Sequence, residues 1–160
     1  MGTRNDHIGG TGGDDFGDRL YHNGDPVTKV EFWYGPGGDY DHEILRAIRV
    51  HWGSDHDEAG ATQEKRKGLL HTTHDLDKGK VQSLQIYGTF NLDHPKSGDT
   101  PDEKGRVDSV RLLGLDAFAA GGHWGYDNGG NGEQDLGNGV LLGFWGKAGD
   151  DIDSLGSIFN

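Results

Sequence analysis

The sequence predicts an all-β fold, a single domain built from many short strands joined by tight turns. Three observations lead to this prediction: thirty glycines spread along 160 residues, short stretches in which apolar and polar residues alternate, and no convincing amphipathic helix period. A hydrophobic content of 31% leaves a modest core for this length, which fits one domain with long surface loops. We therefore treat residues 1–160 as one domain and allow residues 1–8 to be a flexible N-terminal extension.

The strands are predicted from a short sequence phrase that recurs along the chain. An apolar residue is followed two positions later by a small residue, and then apolar residues alternate with polar ones. The phrase occurs at residues 45–50, 81–86 and 107–112, more loosely at 152–155, and has a relative at 27–32. The alternation has the period of a half-buried antiparallel strand. The first apolar residue lies an odd number of positions before the next, so it points to the other face unless a bulge intervenes at the small residue.

Turn-rich stretches separate these strands, at residues 35–38, 54–67, 93–104 and 121–139. Residues 58–70 could form a turn or two of helix. The gaps between the strand phrases are irregular, which disfavours a strict solenoid. The sequence therefore favours three or four unequal sheets or hairpins, arranged as a sandwich, a barrel or a prism.

The charge and the cysteine count exclude several classes of partner. A formal net charge of -12 repels phosphate backbones and anionic lipid, so we expect neither nucleic-acid binding nor membrane insertion. The chain has no cysteine, which rules out a disulfide framework and a thiolate metal site. It also has no secretory signal and no apolar run that could span a bilayer, so the expected location is the cytoplasm by default.

Two segments near the ends of the sequence could together bind a ligand. Residues 9–16 read Gly-Gly-Thr-Gly-Gly-Asp-Asp-Phe, and residues 149–153 read Gly-Asp-Asp-Ile-Asp. The glycines allow a ligand to approach bare backbone N–H groups, since no Cβ lies in the way. A fixed carboxylate, Asp153, beside several backbone donors suits the vicinal hydroxyls of a sugar, which both donate and accept hydrogen bonds.

These segments resemble the jacalin-related lectins. The family's Gly-Gly-x-Gly-Gly-x-x-Phe segment matches residues 9–16, and its closing signature, Ile-x-Gly-Phe-x-Gly-x-x-Gly-Asp-x-x-Asp-x-Ile-Gly, is similar to residues 141–156. A strand followed by a glycine and aromatic turn at 107–126 also resembles the family, as does the opening hairpin formed by 27–32 and 45–53. The resemblance implies a β-prism I fold of three four-stranded Greek-key sheets with pseudo-threefold symmetry.

The resemblance also implies where a sugar would bind, between the glycine loop and the closing turn. Asp153 would accept hydrogen bonds from sugar hydroxyls, Gly13 would donate a backbone N–H, and Asp14 would flank the pocket. Asp150 and Asp151 would donate backbone N–H groups, although family members with aromatic residues there stack them on the sugar. The predicted carbohydrate-binding residues are Gly13, Asp14, Gly149, Asp150, Asp151 and Asp153.

Two further features define the expected specificity. Arg46 and Gln82 stand where additional sites would carry aspartate, so we expect one site per chain. The glycine loop looks uncut, and in the family an uncut loop accompanies preference for mannose or glucose over galactose. The expected function is carbohydrate binding of the mannose/glucose type, with mono- or oligosaccharides and glycoproteins as partners. A single weak site gains useful avidity only in an oligomer, so we also expect a homo-oligomer.

Other functions use the same or nearby residues. Five carboxylates on one rim could instead bind Ca²⁺, although their spacing matches no calcium loop; they are Asp14, Asp15, Asp150, Asp151 and Asp153. His71 and His74 form the closest histidine pair but lack the context of a zinc site. A prism that has lost sugar binding could serve as a protein-interaction module. No nucleophile or phosphate-loop motif is present, and we expect no enzymatic activity and no cofactor.

Overall fold

The computed structural model describes residues 2–37, 43–89, 102–122 and 132–160, and it shows an all-β chain over these residues. The only helical element described is one 3₁₀ turn, Glu64–Arg66. No helix in the described part is long and apolar enough to cross a membrane. The strands are β1 (Thr3–Arg4), β2 (Ile8–Gly9), β3 (Asp14–Asp15), β4 (Lys29–Pro36), β5 (Glu43–Trp52), β6 (Asp55–Gly60), β7 (Leu70–Asp75), β8 (Ser83–Thr89), β9 (Arg106–Leu113), β10 (Ala117–Gly121), β11 (Leu141–Ala148) and β12 (Ile152–Phe159).

The strands form three antiparallel sheets, each built around one long hairpin. The first sheet has the order β6-β5-β4-β7, and the second sheet has the order β10-β9-β8 over the described residues. The third sheet has the order β1-β12-β11-β3, with β2 also paired to β12. The prediction of an all-β fold of three sheets is confirmed, although the sheets hold four, three and five described strands rather than four each.

The three sheets share one hydrophobic core. Apolar side chains alternate along the central strands, so one face of each sheet is buried against the other two. The core cluster draws large side chains from every sheet, among them Phe32, Ile48, Ile86, Val110, Phe144 and Leu155. Trp52 is also buried, and its Nε1 donates to the carbonyl of Leu142 at 3.0 Å. Trp124 and Tyr126, which we expected to be exposed, lie outside the described residues.

A β-bulge at the same position of each central hairpin resolves the register left open by the sequence. The pairing skips one residue in each case: Arg46 in β5, Asp108 in β9 and Asp153 in β12. The bulge turns the preceding apolar residue back to the core face. Accordingly Leu45, Val107 and Ile152 are all fully buried. The bulge lies at the residue before the small one rather than at the small residue itself.

A glycine on the neighbouring strand packs over each bulge. Gly60, Gly121 and Gly9 have φ values of +98°, +96° and +127°, and a Cβ on any of them would clash with the carbonyl oxygen of the bulged residue. The next residue then donates its N–H to that carbonyl: Ala61 to Arg46 at 2.9 Å, Gly122 to Asp108 at 3.1 Å, and Gly10 to Asp153 at 2.8 Å. This repeated arrangement, which we call the glycine clasp, relates the three sheets by pseudo-threefold symmetry.

The clasps correct one expectation about the middle sheet. The sequence analysis placed Gln82 at the position equivalent to Asp153, but Gln82 precedes β8, and the bulged residue of the second sheet is Asp108. Asp108 is fully buried, and the Thr89 hydroxyl donates to its carboxylate. Arg46 does occupy the equivalent position in the first sheet, as the sequence indicated.

The N-terminal segment also differs from the expectation. Residues 1–8 were allowed for as a flexible extension, but Thr3 and Arg4 pair with Phe159 and Ile158 of β12. The Asn5 side chain donates to the carbonyl of Asp135 at 2.9 Å. The described part of this segment is therefore an edge strand of the third sheet, because it satisfies backbone groups that β12 would otherwise leave open.

Candidate functional site

The glycine loop and the acidic turn meet at one end of the third sheet. β3 pairs with the end of β11, so Asp14 lies opposite Ala148 next to the acidic turn. A Cβ placed on Gly13 would lie 2.6 Å from Oδ1 of Asp153, and one on Gly12 would lie 3.0 Å from its Oδ2. Only glycine allows the loop backbone to approach the carboxylate this closely. The structure thus brings Gly13, Asp14 and Asp153 together, as the sequence predicted.

Asp153 lies in the bulge of β12 and is 4% exposed. Burial raises the pKa of its carboxyl group to about 6. The Arg106 guanidinium opposes this rise in pKa, with its Nη1 3.1 Å from Oδ2, and so do the backbone amides of Gly149 and Asp153. The neighbouring Asp151 carboxylate acts in the same direction as burial. Asp153 is therefore a charged acceptor at neutral pH that titrates unusually late for an aspartate.

Asp151 lies between two arginines from the other sheets. Its Oδ1 is 2.5 Å from Nε of Arg46, and its Oδ2 accepts from Nε of Arg106 at 3.0 Å. Arg46 comes from the bulge of the first sheet, and Arg106 begins β9 of the second. All three side chains are less than one-fifth exposed. Together with Asp153 they form a four-residue ion-pair cluster that joins the three sheets.

The arginines are also held by backbone carbonyls, which fixes their orientation. Arg46 donates from Nη1 to the carbonyl of Pro36 at 2.9 Å and from Nε to that of Asp150 at 3.3 Å. Arg106 donates from Nη1 to the carbonyls of Glu103 and Gly105 at 3.0 and 2.8 Å. The guanidiniums are therefore fixed parts of the site. The sequence predicted neither contact, since these arginines lie far from Asp151 along the chain.

The remaining predicted residues lie on the surface around this cluster. Asp150 is exposed, and its Oδ1 lies 2.8 Å from Nζ of Lys65. Gly149 donates its N–H to the carbonyl of Asp151 at 3.0 Å, which closes the acidic turn. A Cβ placed on Gly149 would meet nothing within 4 Å, so the space above it is open. Asp14 is exposed as well.

The calcium alternative loses its main argument in this geometry. It assumed that repulsion among five aspartates would be relieved by a metal ion. Instead Arg46, Arg106 and Lys65 pair with Asp151, Asp153 and Asp150. Asp15 accepts the N–H of Gly17 at 2.7 Å. Among the described residues, no group of three or more histidine, cysteine, aspartate or glutamate side chains could hold a metal ion.

The histidine pair is also split by the strand. His71 and His74 are three positions apart on β7, an odd separation that sends them to opposite faces. His71 donates to Oε1 of Glu31 at 2.9 Å on the outer face, whereas His74 stacks on Phe118. They are thus placed on different faces rather than at one zinc site.

A cleft of about 390 Å³ borders the site and was not expected from the sequence. One wall is formed by Asp14, Asp15 and Gly149, and the opposite wall by Glu58 and the segment that follows it. The sequence gave no signal for this cleft because its two walls come from different sheets, 43 or more positions apart in the numbering of Asp15 and Glu58. It shares two residues, Asp14 and Gly149, with the predicted sugar site.

Comparisons with known proteins give a likeness in structure. No protein-family model and no curated protein sequence matches the chain. The lamprey immune protein superposes with a TM-score of 0.68 at 21% identity, covering 99% of this chain and 44% of that one. The agglutinin of Calystegia sepium gives 0.66 at 16% identity, covering 98% and 95%. A mannose-binding jacalin-related lectin from Ananas comosus gives 0.62 at 13% identity, covering 98% and 96%.

The chain thus spans less than half of the lamprey protein and nearly the whole of the two plant lectins. Identities this low carry information about architecture. The three antiparallel sheets, their shared core and the coverage of the entire chain agree with one another. The chain has the β-prism fold of the jacalin-related lectins.

Proposed function

We propose that this protein binds carbohydrate, with mannose- or glucose-type sugars held between the glycine loop and the acidic turn. The observation that carries the proposal is the direct packing of Gly12 and Gly13 against the carboxylate of Asp153. This places a charged acceptor beside a loop of glycines, whose backbone N–H groups no side chain covers. Sugar hydroxyls pair well with such a combination, because each both donates and accepts.

The arginine cluster adds donors to the same place. Arg106 lies beside both Asp151 and Asp153, so a hydroxyl that donates to Asp153 could accept from the guanidinium. In this proposal Gly13, Asp150 and Asp151 supply backbone N–H groups, Asp14 and Gly149 border the pocket, and Asp153 accepts. Because Asp153 is only 4% exposed, the sugar would reach it from the side of the glycine loop.

The fold neighbours support a binding protein rather than an enzyme. They include a mannose-binding lectin from Ananas comosus and artocarpin solved with mannotriose. Mannose is therefore the first sugar to test, followed by glucose and then galactose. The direct measurement is isothermal titration of the chain with each sugar, with calcium and with a chelator.

Binding of mannose that ignores the chelator is the expected result. Binding that requires calcium would contradict the assignment of these aspartates to a sugar site. No binding to any of the three sugars would overturn the proposal and direct the search to a protein partner for the prism.

Replacing Asp153 tests the site itself. We expect Asp153→Ala to abolish mannose binding while the fold persists, since Arg106 keeps its ion pair with Asp151. The loss should exceed about tenfold in affinity, the effect of removing a charge-assisted hydrogen bond of about 1.5–3 kcal/mol. Titration and circular dichroism give the two readouts.

The matched control is Asp108→Asn, which changes the equivalent bulged residue of the second sheet. This variant should bind mannose with unchanged affinity and stoichiometry if there is one site per chain. Full binding by Asp153→Ala would disprove the site assignment. A halved stoichiometry in Asp108→Asn would disprove the single site.

A further inference from the structure

The cleft between β3 and β6 has the size and the lining of a second sugar subsite. Its volume of about 390 Å³ falls in the range of small-molecule sites, roughly 300–1,000 Å³. Phe16, Ala59 and Ala61 contribute to the lining and are buried, so they offer an apolar base. Such a base suits the C–H face of a pyranose ring, whose hydroxyls point toward the rim.

The rim of the cleft carries donors and acceptors in alternation. Asp14 and Asp15 are exposed carboxylates on one side, and Thr62 lies exposed on the other. Arg19 also lines the cleft, where it donates to the carbonyl of Glu58 and lies 3.5 Å from Asp57. This arrangement offers acceptors to the donating hydroxyls of a sugar and donors to its accepting oxygens.

Arg66 is a second and independent feature of this lining. Its side chain is 5% exposed, with Nε donating to the carbonyl of Ala61 at 2.7 Å and Nη2 paired with Glu58. Its Nη1 has no hydrogen-bond partner among the described residues. A buried donor without an acceptor is costly, so an oxygen supplied by a ligand beside Arg66 would be favourable.

The charge of the cleft indicates a neutral ligand. The carboxylates of Asp14, Asp15 and Glu58 outnumber the guanidiniums of Arg19 and Arg66. Glu58 is already neutralised by Arg49 and Arg66, which leaves the two exposed aspartates dominant at the rim. An anionic sugar would be repelled there, whereas a neutral hexose would not.

We infer that this cleft holds a second, neutral hexose unit of an oligosaccharide whose first unit lies at Gly13 and Asp153. The inference rests on the proposed function, because Asp14 and Gly149 border both places and lead from one to the other. The open space above Gly149 provides the connection. The preferred ligand is then a linear oligosaccharide, bound more tightly than its terminal monosaccharide.

The test compares methyl α-mannoside with a linear α-linked mannotriose by isothermal titration. For the unmodified protein we expect the trisaccharide to bind about tenfold more tightly, as two or three added hydrogen bonds of roughly 0.5–1.5 kcal/mol would give. Thr62→Tyr narrows the cleft from its exposed rim and should remove this preference while leaving methyl α-mannoside binding unchanged. Arg19→Ala should reduce the preference through the loss of a donor.

Thr73→Tyr is the matched control, since Thr73 is exposed on β7, away from the cleft. It should keep the full preference for the trisaccharide. Equal affinities for the two sugars in the unmodified protein, or an unchanged preference in Thr62→Tyr, would overturn the subsite while the monosaccharide site stands. Failure of the unmodified protein to bind either sugar would overturn the proposed function and the subsite together.

Discussion

Asp153 is held in a buried place beside a second carboxylate, Asp151. Burying one charge is unfavourable, and burying two of the same sign adds repulsion, so each needs a cationic partner. Arg106 serves both carboxylates and Arg46 serves one. The rise in the pKa of Asp153 shows that this compensation is incomplete. Such residual cost is common at binding sites, where a ligand supplies the missing partners.

This raised pKa predicts how stability depends on pH. The folded protein holds the proton of Asp153 up to a pH of about 6, whereas the unfolded chain releases it near 3.8. The folded state therefore binds this proton more tightly, so stability from this residue is highest below about pH 4 and declines until about pH 6. Asp153→Asn has no such proton, and its stability relative to the parent should rise by roughly 2–3 kcal/mol between pH 4 and pH 7.

Urea unfolding of both proteins at matched pH values measures this difference. Glu31 and Glu58 have lowered pKa values and favour the folded state above their unfolded pKa, the opposite trend. Both glutamates are present in both proteins, so their effect cancels when the variant is subtracted from the parent. A difference that stays constant from pH 4 to pH 7 would show that Asp153 has an ordinary pKa.

At the level of elements, the glycine clasp explains how three hairpins with different sequences adopt the same bend. The bulge exposes one carbonyl oxygen, and the clasp supplies both the space and the N–H that this oxygen needs. The conserved part of the geometry is thus the backbone, and the bulged side chain is free to vary. Arg46, Asp108 and Asp153 occupy the same position with different chemistry.

Gly60→Ala tests the clasp. The new Cβ would clash with the carbonyl of Arg46 at a φ of +98°, and we expect a loss of more than about 2 kcal/mol of stability. Gly24→Ala is the control, because Gly24 also has a positive φ, +80°, but a Cβ there meets nothing within 4 Å. It should cost only about 1 kcal/mol. Thermal or urea unfolding would show equal losses in the two variants if the clasp were unimportant.

The strand phrases predicted the all-β class and the central strands because alternation depends on local sequence. They could not settle the register, since a bulge depends on the carbonyl and glycine of a neighbouring strand. The phrase at 107–112 carries aspartate at the bulge, yet Gln82 offered the same local pattern, and only pairing distinguishes the two. The edge strand at Thr3 is too short to give any periodic signal.

At the scale of the whole molecule, the ion-pair cluster connects the sheets at one end of the prism. The sequence predicted Asp151 and Asp153 as site residues through resemblance, and the structure places them with Arg46 and Arg106. Arg46 had been regarded only as a lost site. Contacts between residues 45 and 105 positions apart depend on how the three sheets meet, which no local pattern encodes.

The assembly of several copies is a further prediction at this scale. A single shallow sugar site binds weakly, and useful avidity needs two or more sites held together. We expect a homo-oligomer joined through a sheet face or the terminal strand, visible as a dimer or larger species in sedimentation equilibrium. A strict monomer at high protein concentration would contradict this expectation.

The third sheet takes its strands from both ends of the sequence, as the pairing of Thr3 with Phe159 shows. In kinetic terms this sheet closes a loop almost as long as the chain, and its closure carries a large entropic cost before any contact is gained. The hairpins β4/β5 and β8/β9 need only nearby residues and can form first. The candidate sugar site lies on the third sheet, so it would be the last part of the molecule to become functional during folding.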